Sequence, residues 1–282
     1  KLYPVLGIIG PRQSGKTTLA RMLFPHLPYV SLENLDIRVQ AQQDLRSFLD
    51  YYKNGAIFDE VQYVPELLSY LQVVVDESSK KGRYVLTGSQ NFALSHHISQ
   101  SLSGRIGIVT LLPLTLSELE EFDNPSGSVF KGGYPMVHSL NMHPLDFYPS
   151  YIQTYIERDI RQLKNIEDCN RFQTFLKLCA GRIGQIINFS SLAQDCGISH
   201  TTARKWLNIL EASYIIFFLQ PFYKNFNKRL IKMPKLYFYD TGIACTLLGI
   251  EKERQLETHY LKGGLYENLV ILELLKGRLN LG

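Results

Sequence analysis

Residues 10–17 constrain this 282-residue chain more than any other segment, because they read Gly-Pro-Arg-Gln-Ser-Gly-Lys-Thr. This order matches the pattern G-x-x-x-x-G-K-[ST] at each fixed position. A short apolar run over 5–9 comes before it, and apolar residues at helical spacing follow it over 16–27. A tight turn between a buried strand and a helix aims backbone N–H groups and the positive helix end at one anion. We therefore predict a phosphate-binding loop.

The residues of this loop have distinct expected roles. Lys16 supplies a point charge for the β- and γ-phosphates of a nucleotide, and the Thr17 hydroxyl is suited to ligate Mg²⁺. The expected cofactors are therefore ATP and Mg²⁺. The predicted ATP-binding residues are the loop and the start of its helix, namely Gly10, Pro11, Arg12, Gln13, Ser14, Gly15, Lys16, Thr17 and Thr18.

A second short apolar run, 56–58, ends in Asp59 and Glu60. Carboxylates at the end of a buried strand are what a Mg²⁺-bound nucleotide requires. Asp59 would hold the metal together with Thr17, usually through water. Glu60 would act as the general base on the attacking water.

Two later segments supply further candidates. The apolar run 84–86 is followed by polar residues, and ligands lie at the carboxyl ends of strands in open parallel sheets. Thr87, Ser89 or Asn91 is therefore predicted to sense the γ-phosphate, and the choice among them stays open. Arg105 completes the predicted catalytic set with Lys16 and Glu60, because an arginine from a neighbouring subunit can neutralise charge on the transferring phosphoryl group. The alternative for Arg105 is a surface salt bridge.

Short apolar runs alternate with amphipathic helical patterns up to about residue 120. This alternation predicts an α/β fold in which a parallel sheet is covered by helices. The alternation then fades, and residues 145–180 are predicted to be one continuous helical stretch. Hydrophobic residues make up 45% of the chain and charged residues 20%, which excludes an intrinsically disordered protein.

Residues 171–235 carry ten basic and only two acidic side chains, a net charge of +8. Such an excess is typical of a surface that binds a polyanion. The segment 189–214 has a helix-turn-helix pattern, with a turn at Gly197 and Ser199 as N-cap of the second helix. On that helix an apolar stripe faces inward, formed by Ala203, Trp206, Leu207 and Leu210.

The opposite face of the second helix is polar and basic. Thr201, Arg204 and Lys205 are predicted to enter a DNA major groove. Lys228 and Arg229 lie in a segment that mixes cations with aromatic residues, which suits a wing over the phosphate backbone. The alternatives are a protein contact, an interdomain lid or a solvated surface.

The apolar stretches and the cysteines indicate the expected compartment of this chain. No stretch approaches the roughly 20 apolar residues that a membrane-spanning helix needs, so no membrane partner is expected. The four cysteines lack the close spacing of a zinc or redox site. Buried thiols in a reducing compartment, the cytoplasm, are therefore expected.

The motifs in their order resemble a known family. Residues 10–18, 58–60, 86–89 and 102–105 follow the order typical of prokaryotic AAA-superfamily P-loop ATPases in which a domain of unknown function follows the ATPase. Downstream, the resemblance continues in four motifs: a Gly-Gly-aromatic-Pro turn at 132–135, a Tyr-x-x-Arg-Asp helix at 155–160, and the segments 239–242 and 266–268. The similarity covers nearly the whole chain.

The resemblance implies an AAA-type ATPase core over 1–122, a helical connector or lid over 123–170 and a winged-helix domain over 171–232. It further implies the start of a restriction-endonuclease-like module over 233–282. Asp240, Glu267 and Glu273 would be remnants of the acidic site of that module, and no complete nuclease is predicted.

The implied activity is hydrolysis of ATP to ADP and phosphate, coupled to movement of the winged helix. Double-stranded DNA and further copies of the chain are the expected partners besides ATP. The alternative is a nucleotide-gated switch for DNA binding or oligomerisation with negligible turnover.

Overall fold

The computed structural model describes residues 3–77, 80–89, 101–120, 122–155, 168–222 and 233–281. The chain divides into two compact units, Lys1–Leu112 and Pro113–Leu281. This division falls about ten residues before the first boundary that the sequence predicts. The reason is that the segment after Leu112 bonds within the second unit: Lys276 Nζ donates to Leu114 O (2.7 Å) and Leu116 N donates to Glu273 Oε2 (2.8 Å).

The first unit is built on a five-stranded sheet with the strand order β2-β3-β4-β1-β5. Every neighbouring pair in it is parallel, which confirms the predicted α/β fold. Its strands are β1 Val5–Ile9, β2 Tyr29–Ser31, β3 Ala56–Asp59, β4 Tyr84–Gly88 and β5 Ile106–Thr110. Its described helices are α1 Lys16–Leu23, α2 Leu35–Gln43, α3 Leu45–Tyr51 and α4 Leu67–Asp76, with a 3-10 turn at Val61–Tyr63.

The strand order places three strand ends side by side at one edge of this sheet. Strands β3 and β4 are buried along their whole length, and β1 lies between β4 and β5. Because the strands are parallel, the carboxyl ends of β1, β3 and β4 meet at the same edge. The loop 10–15, the pair Asp59 and Glu60, and Ser89 just after β4 therefore face the same space.

The second unit is mostly helical. Its helices are α5 Leu116–Leu119, α6 Pro125–Lys131, α7 Pro135–Ser139, α8 Pro144–Tyr151, α9 Cys169–Ala180, α10 Phe189–Cys196, α11 His200–Ala212, α12 Thr241–Leu247 and α13 Lys262–Leu281. A 3-10 segment, Glu253–Glu257, precedes α13, and two antiparallel strands, β6 Ile216–Leu219 and β7 Lys235–Phe238, form a small sheet. In the described part of the chain, no helix combines the length and apolar character that crossing a membrane requires.

The expectation of one continuous helical stretch over 145–180 is wrong. Asp168 is extended, with φ −92° and ψ 93°, and its side chain accepts a hydrogen bond from Arg171 N (3.0 Å). A side chain that caps the first turn in this way marks the start of a new helix. Helix α9 therefore begins at Cys169, independently of α8.

Helices α9 and α11 pack against each other through one tryptophan. Gly197 turns the chain with φ +65°, and Ser199 Oγ accepts from Thr202 N (3.0 Å) as the predicted N-cap of α11. Trp206 packs edge-on against Phe172 and Phe175, with ring centroids 5.2 Å away in both cases. The inward stripe predicted for α11 is buried as expected.

Two motifs of the second unit that are distant in sequence meet in the structure. Asp240, at 1% exposure, accepts hydrogen bonds from Gly133 N (2.7 Å) and from Ile243 N (3.1 Å). Nearby, Gly242 lies against the Tyr148 ring so closely that a Cβ would come within 2.2 Å of it. The Gly-Gly and Asp-Thr-Gly segments are thus parts of one packed corner, where burial raises the pKa of Asp240.

The close contact at Gly242 predicts that adding one methyl group there destabilises the fold. Gly242→Ala should lower the free energy of unfolding by about 1–3 kcal/mol, because the ring of Tyr148 is fixed in a packed core. Chemical denaturation followed by circular dichroism measures this change.

Gly263→Ala is the matched control, since a Cβ there meets nothing within 4 Å. It lies in α13 and should leave stability unchanged or raise it by up to about 1 kcal/mol. Equal stabilities of the two variants would contradict the packing argument.

Candidate functional site

The loop between β1 and α1 has the backbone of an anion cradle. Gly10 has φ +151°, and a Cβ there would lie 2.1 Å from the carbonyl oxygen of Leu111, so only glycine fits. Gln13 and Gly15 also have positive φ angles, 60° and 93°. A Cβ on Gly15 would meet nothing within 4 Å, which shows that the space over the loop is open. Successive turns of this kind direct N–H groups towards one point.

Lys16 lies under this loop at 5% exposure, and its Nζ donates to Pro11 O (2.6 Å). Burial lowers the pKa of Lys16 to about 8, against the opposing charges of Glu60 and Asp59. An ammonium group has three N–H donors, so two remain for a ligand. Ser14 Oγ is also buried and has no hydrogen-bond partner among the described residues. Both groups fit a phosphate in the cradle.

Asp59 is the centre of the polar network at this edge. Its carboxylate, at 6% exposure, accepts hydrogen bonds from Thr17 Oγ1 (2.9 and 3.1 Å), from Tyr29 OH (2.7 Å) and from Thr87 Oγ1. Burial, reinforced by Asp59, raises the pKa of Tyr29 to about 12, so the phenol stays a donor. A hydroxyl and a carboxylate in contact offer the hard oxygen ligands that Mg²⁺ prefers.

Glu60 lies just beyond β3 in a left-handed conformation, with φ 56° and ψ 51°. Non-glycine residues seldom adopt this conformation, and it is found where a site requires it. Its backbone N–H donates to Thr87 Oγ1 (3.2 Å), and its carboxylate accepts from Ser89 Oγ (3.2 Å) and from Gln62 Nε2. The general base predicted from the sequence is therefore held at both its backbone and its side chain.

The structure brings most of the predicted site residues together. Thr87 bonds to Asp59 and to the backbone of Glu60, whereas Ser89 bonds to the carboxylate of Glu60. The third sensor candidate, Asn91, lies outside the described residues.

Tyr29 and Gln62 were missed by the sequence analysis. Tyr29 belongs to β2, which pairs with β3 in parallel, so neighbouring strands place it near Asp59. Gln62 is two residues after Glu60 on the 3-10 turn, and its Oε1 is buried with no hydrogen-bond partner in the described ranges. In the sequence, the one sign that Gln62 contacts the site is its position two residues after Glu60.

Arg105 is not brought to this site. It precedes β5, and Val5 N donates to Arg105 O (3.2 Å), which places it at the amino edge of the sheet. A five-residue strand separates the two edges by about 16 Å. Its guanidinium instead pairs with Asp76 (Nη2–Oδ2 2.8 Å), as the salt-bridge alternative proposed. A role on the phosphates of a neighbouring copy stays a prediction.

The predicted basic face is partly described. Thr201, Arg204 and Lys205 are exposed on α11, on the side opposite the buried stripe. Lys228 and Arg229 lie outside the described residues.

The acidic residues of the last segment do not form a metal site. Asp240 caps α12, Glu267 accepts from Lys235 Nζ (2.7 Å), and Glu273 accepts from Leu116 N. Across the part of the chain that the structure describes, no three His, Cys, Asp or Glu side chains are grouped to hold a metal ion. The interpretation of these three carboxylates as one remnant site is therefore not supported.

Comparison with known families agrees with the two-unit division. Residues 2–120 match the sequence model described as AAA domain, and residues 126–254 match the one described as domain of unknown function (DUF8612). Together with the parallel sheet and its glycine-rich loop, the first match supports an AAA-type P-loop fold for the first unit.

Three curated relatives are each described as an uncharacterized protein. Proteins of Mycobacterium tuberculosis and Mycobacterium bovis are each 30% identical over 274 residues, which is 96% of this chain and 62% of theirs. A protein of Haemophilus influenzae is 24% identical over 95% of this chain and 74% of its own. The chain thus spans less than two thirds of the length of the mycobacterial relatives.

Among solved structures, a RuvB variant of Thermotoga maritima is similar over 77% of this chain and 82% of its own. The sequence identity is 19% and the TM-score is 0.38.

The contacts of Thr87 predict that its hydroxyl stabilises the unliganded site. Thr87→Val should lower the free energy of unfolding by about 1–3 kcal/mol, because the N–H of Glu60 and the carboxylate of Asp59 both lose a buried partner. Thermal unfolding without nucleotide measures this. Thr110→Val on the edge strand β5 is the control, expected within about 0.5 kcal/mol of the parent. If the two variants were equally stable, the network would contribute nothing to the fold.

Proposed function

We propose that this AAA-type chain is a Mg²⁺-dependent ATPase that converts ATP to ADP and phosphate. The observation that carries the proposal is the contact between Thr17 Oγ1 and the carboxylate of Asp59 at 2.9 Å. The hydroxyl comes from the start of α1 and the carboxylate from the end of β3. Their meeting point, beside the buried Lys16, is where a metal bound to a nucleotide would be held.

Nucleotide binding rests on the chain's own donors. The N–H groups of the loop and the N-terminal end of α1 would cradle the phosphates. Lys16 would contact the β- and γ-phosphates. Ser14 Oγ, which has no hydrogen-bond partner within the described ranges, would gain one from the phosphates. When bound, Mg²⁺ would neutralise charge on the same phosphates.

Hydrolysis requires a general base, and we assign that role to Glu60. Its carboxylate would take the proton of the attacking water while Ser89 and Gln62 hold its orientation. Thr87 fixes the backbone of Glu60, so the side chain starts from one position. Pre-organisation of this kind lowers the cost of orienting the base during the reaction.

Two substitutions separate binding from hydrolysis. Lys16→Ala should weaken binding of a fluorescent ATP analogue by more than about tenfold, because a buried charge for the phosphates is lost. Glu60→Gln should leave that affinity nearly unchanged and lower kcat about 100-fold or more. Equilibrium titration and single-turnover phosphate release measure the two effects.

Glu66→Gln is the matched control, because Glu66 is an exposed carboxylate of the same unit. Its rate should equal that of the parent. If neither Lys16→Ala nor Glu60→Gln changed the hydrolysis rate, the proposed ATPase activity of this site would be refuted. If the parent bound ATP without hydrolysing it, the alternative of a nucleotide-gated switch would be favoured. An increase in the molecular mass of the protein in solution on addition of ATP would indicate that the switch controls oligomerisation.

For the second unit we propose a winged helix whose movement is coupled to the nucleotide and which binds double-stranded DNA. The supporting geometry is the order α9, an isolated bridge from Ile186 to Lys235, α10, α11 and the hairpin β6–β7. The exposed Arg204 and Lys205 on α11, in a segment of net charge +8, support the DNA contact.

The DNA contact predicts a specific salt dependence. Arg204→Ala and Lys205→Ala should each reduce the slope of log affinity against log salt by about 0.9, since each would release one fewer counterion. Fluorescence anisotropy with a duplex at several salt concentrations measures the slope. Lys53→Ala, an exposed lysine of the first unit, should leave it unchanged. An equal loss in all three variants would indicate nonspecific attraction instead.

A further inference from the structure

The phenol of Tyr29 lies beside Asp59, although the sequence analysis assigned no site residue to its strand, β2. Its hydroxyl donates to Asp59 Oδ2 (2.7 Å). We propose that Tyr29 is a positioning residue for the Mg²⁺ site: it acts through Asp59 and contacts neither the metal nor the nucleotide. This proposal rests on the proposed function, because it concerns the metal that Asp59 and Thr17 would hold.

The carboxylate of Asp59 needs donors on both of its oxygens to be held in one orientation. Rotation about the bond from Cβ to the carboxylate of an aspartate is only weakly restricted. Thr17 Oγ1 lies 2.9 and 3.1 Å from the two oxygens, so it does not choose between them. Thr87 donates to Oδ1, and Tyr29 donates to Oδ2. Hydroxyl groups on opposite oxygens therefore fix the plane of the carboxylate.

A long side chain is required at position 29 to make this bond. Strands β2 and β3 pair in parallel, with Ser31 opposite Asp59 and Tyr29 opposite Ile57. Residues two apart on a strand lie on the same face and about 7 Å from each other. The phenol spans this offset, whereas the hydroxyl of a serine or threonine at position 29 would be too short to reach Asp59.

The ring of Tyr29 is also held by α1. The guanidinium of Arg21 lies over the ring, 5.0 Å from its centroid. Arg21 comes four residues after Thr17, and side chains four apart share a face of a helix. One face of α1 thus contacts Asp59 through Thr17 and the phenol ring through Arg21. The bond from the phenol to the carboxylate closes this ring of contacts, so the phenol is fixed before any ligand binds.

Tyr29 can be tested without disturbing the general base. Thr87 accepts from Glu60 N as well as donating to Asp59, so a substitution there also affects the base. A phenol has one proton to donate, and that of Tyr29 goes to Asp59. Tyr29→Phe therefore removes one hydrogen bond and keeps the ring under Arg21.

The experiment measures how much Mg²⁺ strengthens nucleotide binding. The full chain is titrated with a fluorescent, non-hydrolysable ATP analogue, once in EDTA and once in saturating Mg²⁺. Because binding is linked, the ratio of the two dissociation constants (EDTA over Mg²⁺) reports how strongly the site favours the metal in the complex.

Tyr29→Phe should lower this ratio about tenfold or more, because groups that orient a metal ligand typically contribute about 10–100-fold to metal affinity. Its dissociation constant in EDTA should stay within about twofold of that of the parent, because the phosphate cradle is unchanged. Tyr29→Ser keeps a hydroxyl that is too short to reach Asp59, and it should lower the ratio at least as much.

Tyr70→Phe is the matched control. Tyr70 lies on α4 of the same unit and is 45% exposed, against 39% for Tyr29. This variant loses the same hydroxyl group away from Asp59, and it should change neither dissociation constant.

The outcomes separate this proposal from the proposed function. If Mg²⁺ strengthened binding equally in the parent and in Tyr29→Phe, the role of Tyr29 would be overturned and the proposed ATPase would stand. A loss of affinity in Tyr29→Phe that is as large in EDTA as in Mg²⁺ would indicate a merely structural role and would also overturn it. If the parent bound the analogue equally well in EDTA and in Mg²⁺, the metal assignment itself would fail, and this proposal with it.

Discussion

The carboxylate of Asp59 is the interaction on which the first unit's functional edge depends. It accepts hydrogen bonds from hydroxyl groups on α1, β2 and β4, three elements that come from distant parts of the sequence. A buried carboxylate without such donors would be strongly unfavourable, so the network and the fold require each other. The bond from Thr17 keeps the start of α1 in contact with the end of β3, directly before Glu60.

In the second unit, too, buried polar side chains join distant segments, but the groups are an amide and an ammonium as well as a carboxylate. Three of its buried polar residues, Asp240, Asn268 and Lys276, join segments that are far apart in the chain. Asn268 donates to Phe238 O (3.0 Å) and accepts from Phe238 N (2.6 Å), which joins α13 to the sheet. Lys276, at 3% exposure, bonds to Leu114 O and Glu273. These bonds explain why residues after Leu112 pack with the second unit.

Sequence patterns predicted the parts that depend on local spacing. The loop 10–17, the pair Asp59 and Glu60, and the stripe on α11 all follow from residue order and period. Tyr29 and Gln62 could not be found this way, because their roles arise from strand pairing and from a 3-10 turn. The break before α9 was missed for a similar reason: an Asp in a long polar segment indicates a cap only once the backbone conformation is seen.

The sequence by itself determined that a glycine-rich turn lies between a strand and a helix, and that an acidic pair ends another strand. Those features depend on backbone freedom and on residue type, which are local properties. Only the tertiary structure decided which residues share an edge of the sheet. Parallel pairing of β1 with β5 places Arg105 at the edge away from the loop, whereas pairing of β2 with β3 brings Tyr29 to Asp59. Strand order and direction are set by packing across the whole unit, and no short segment of the chain encodes them.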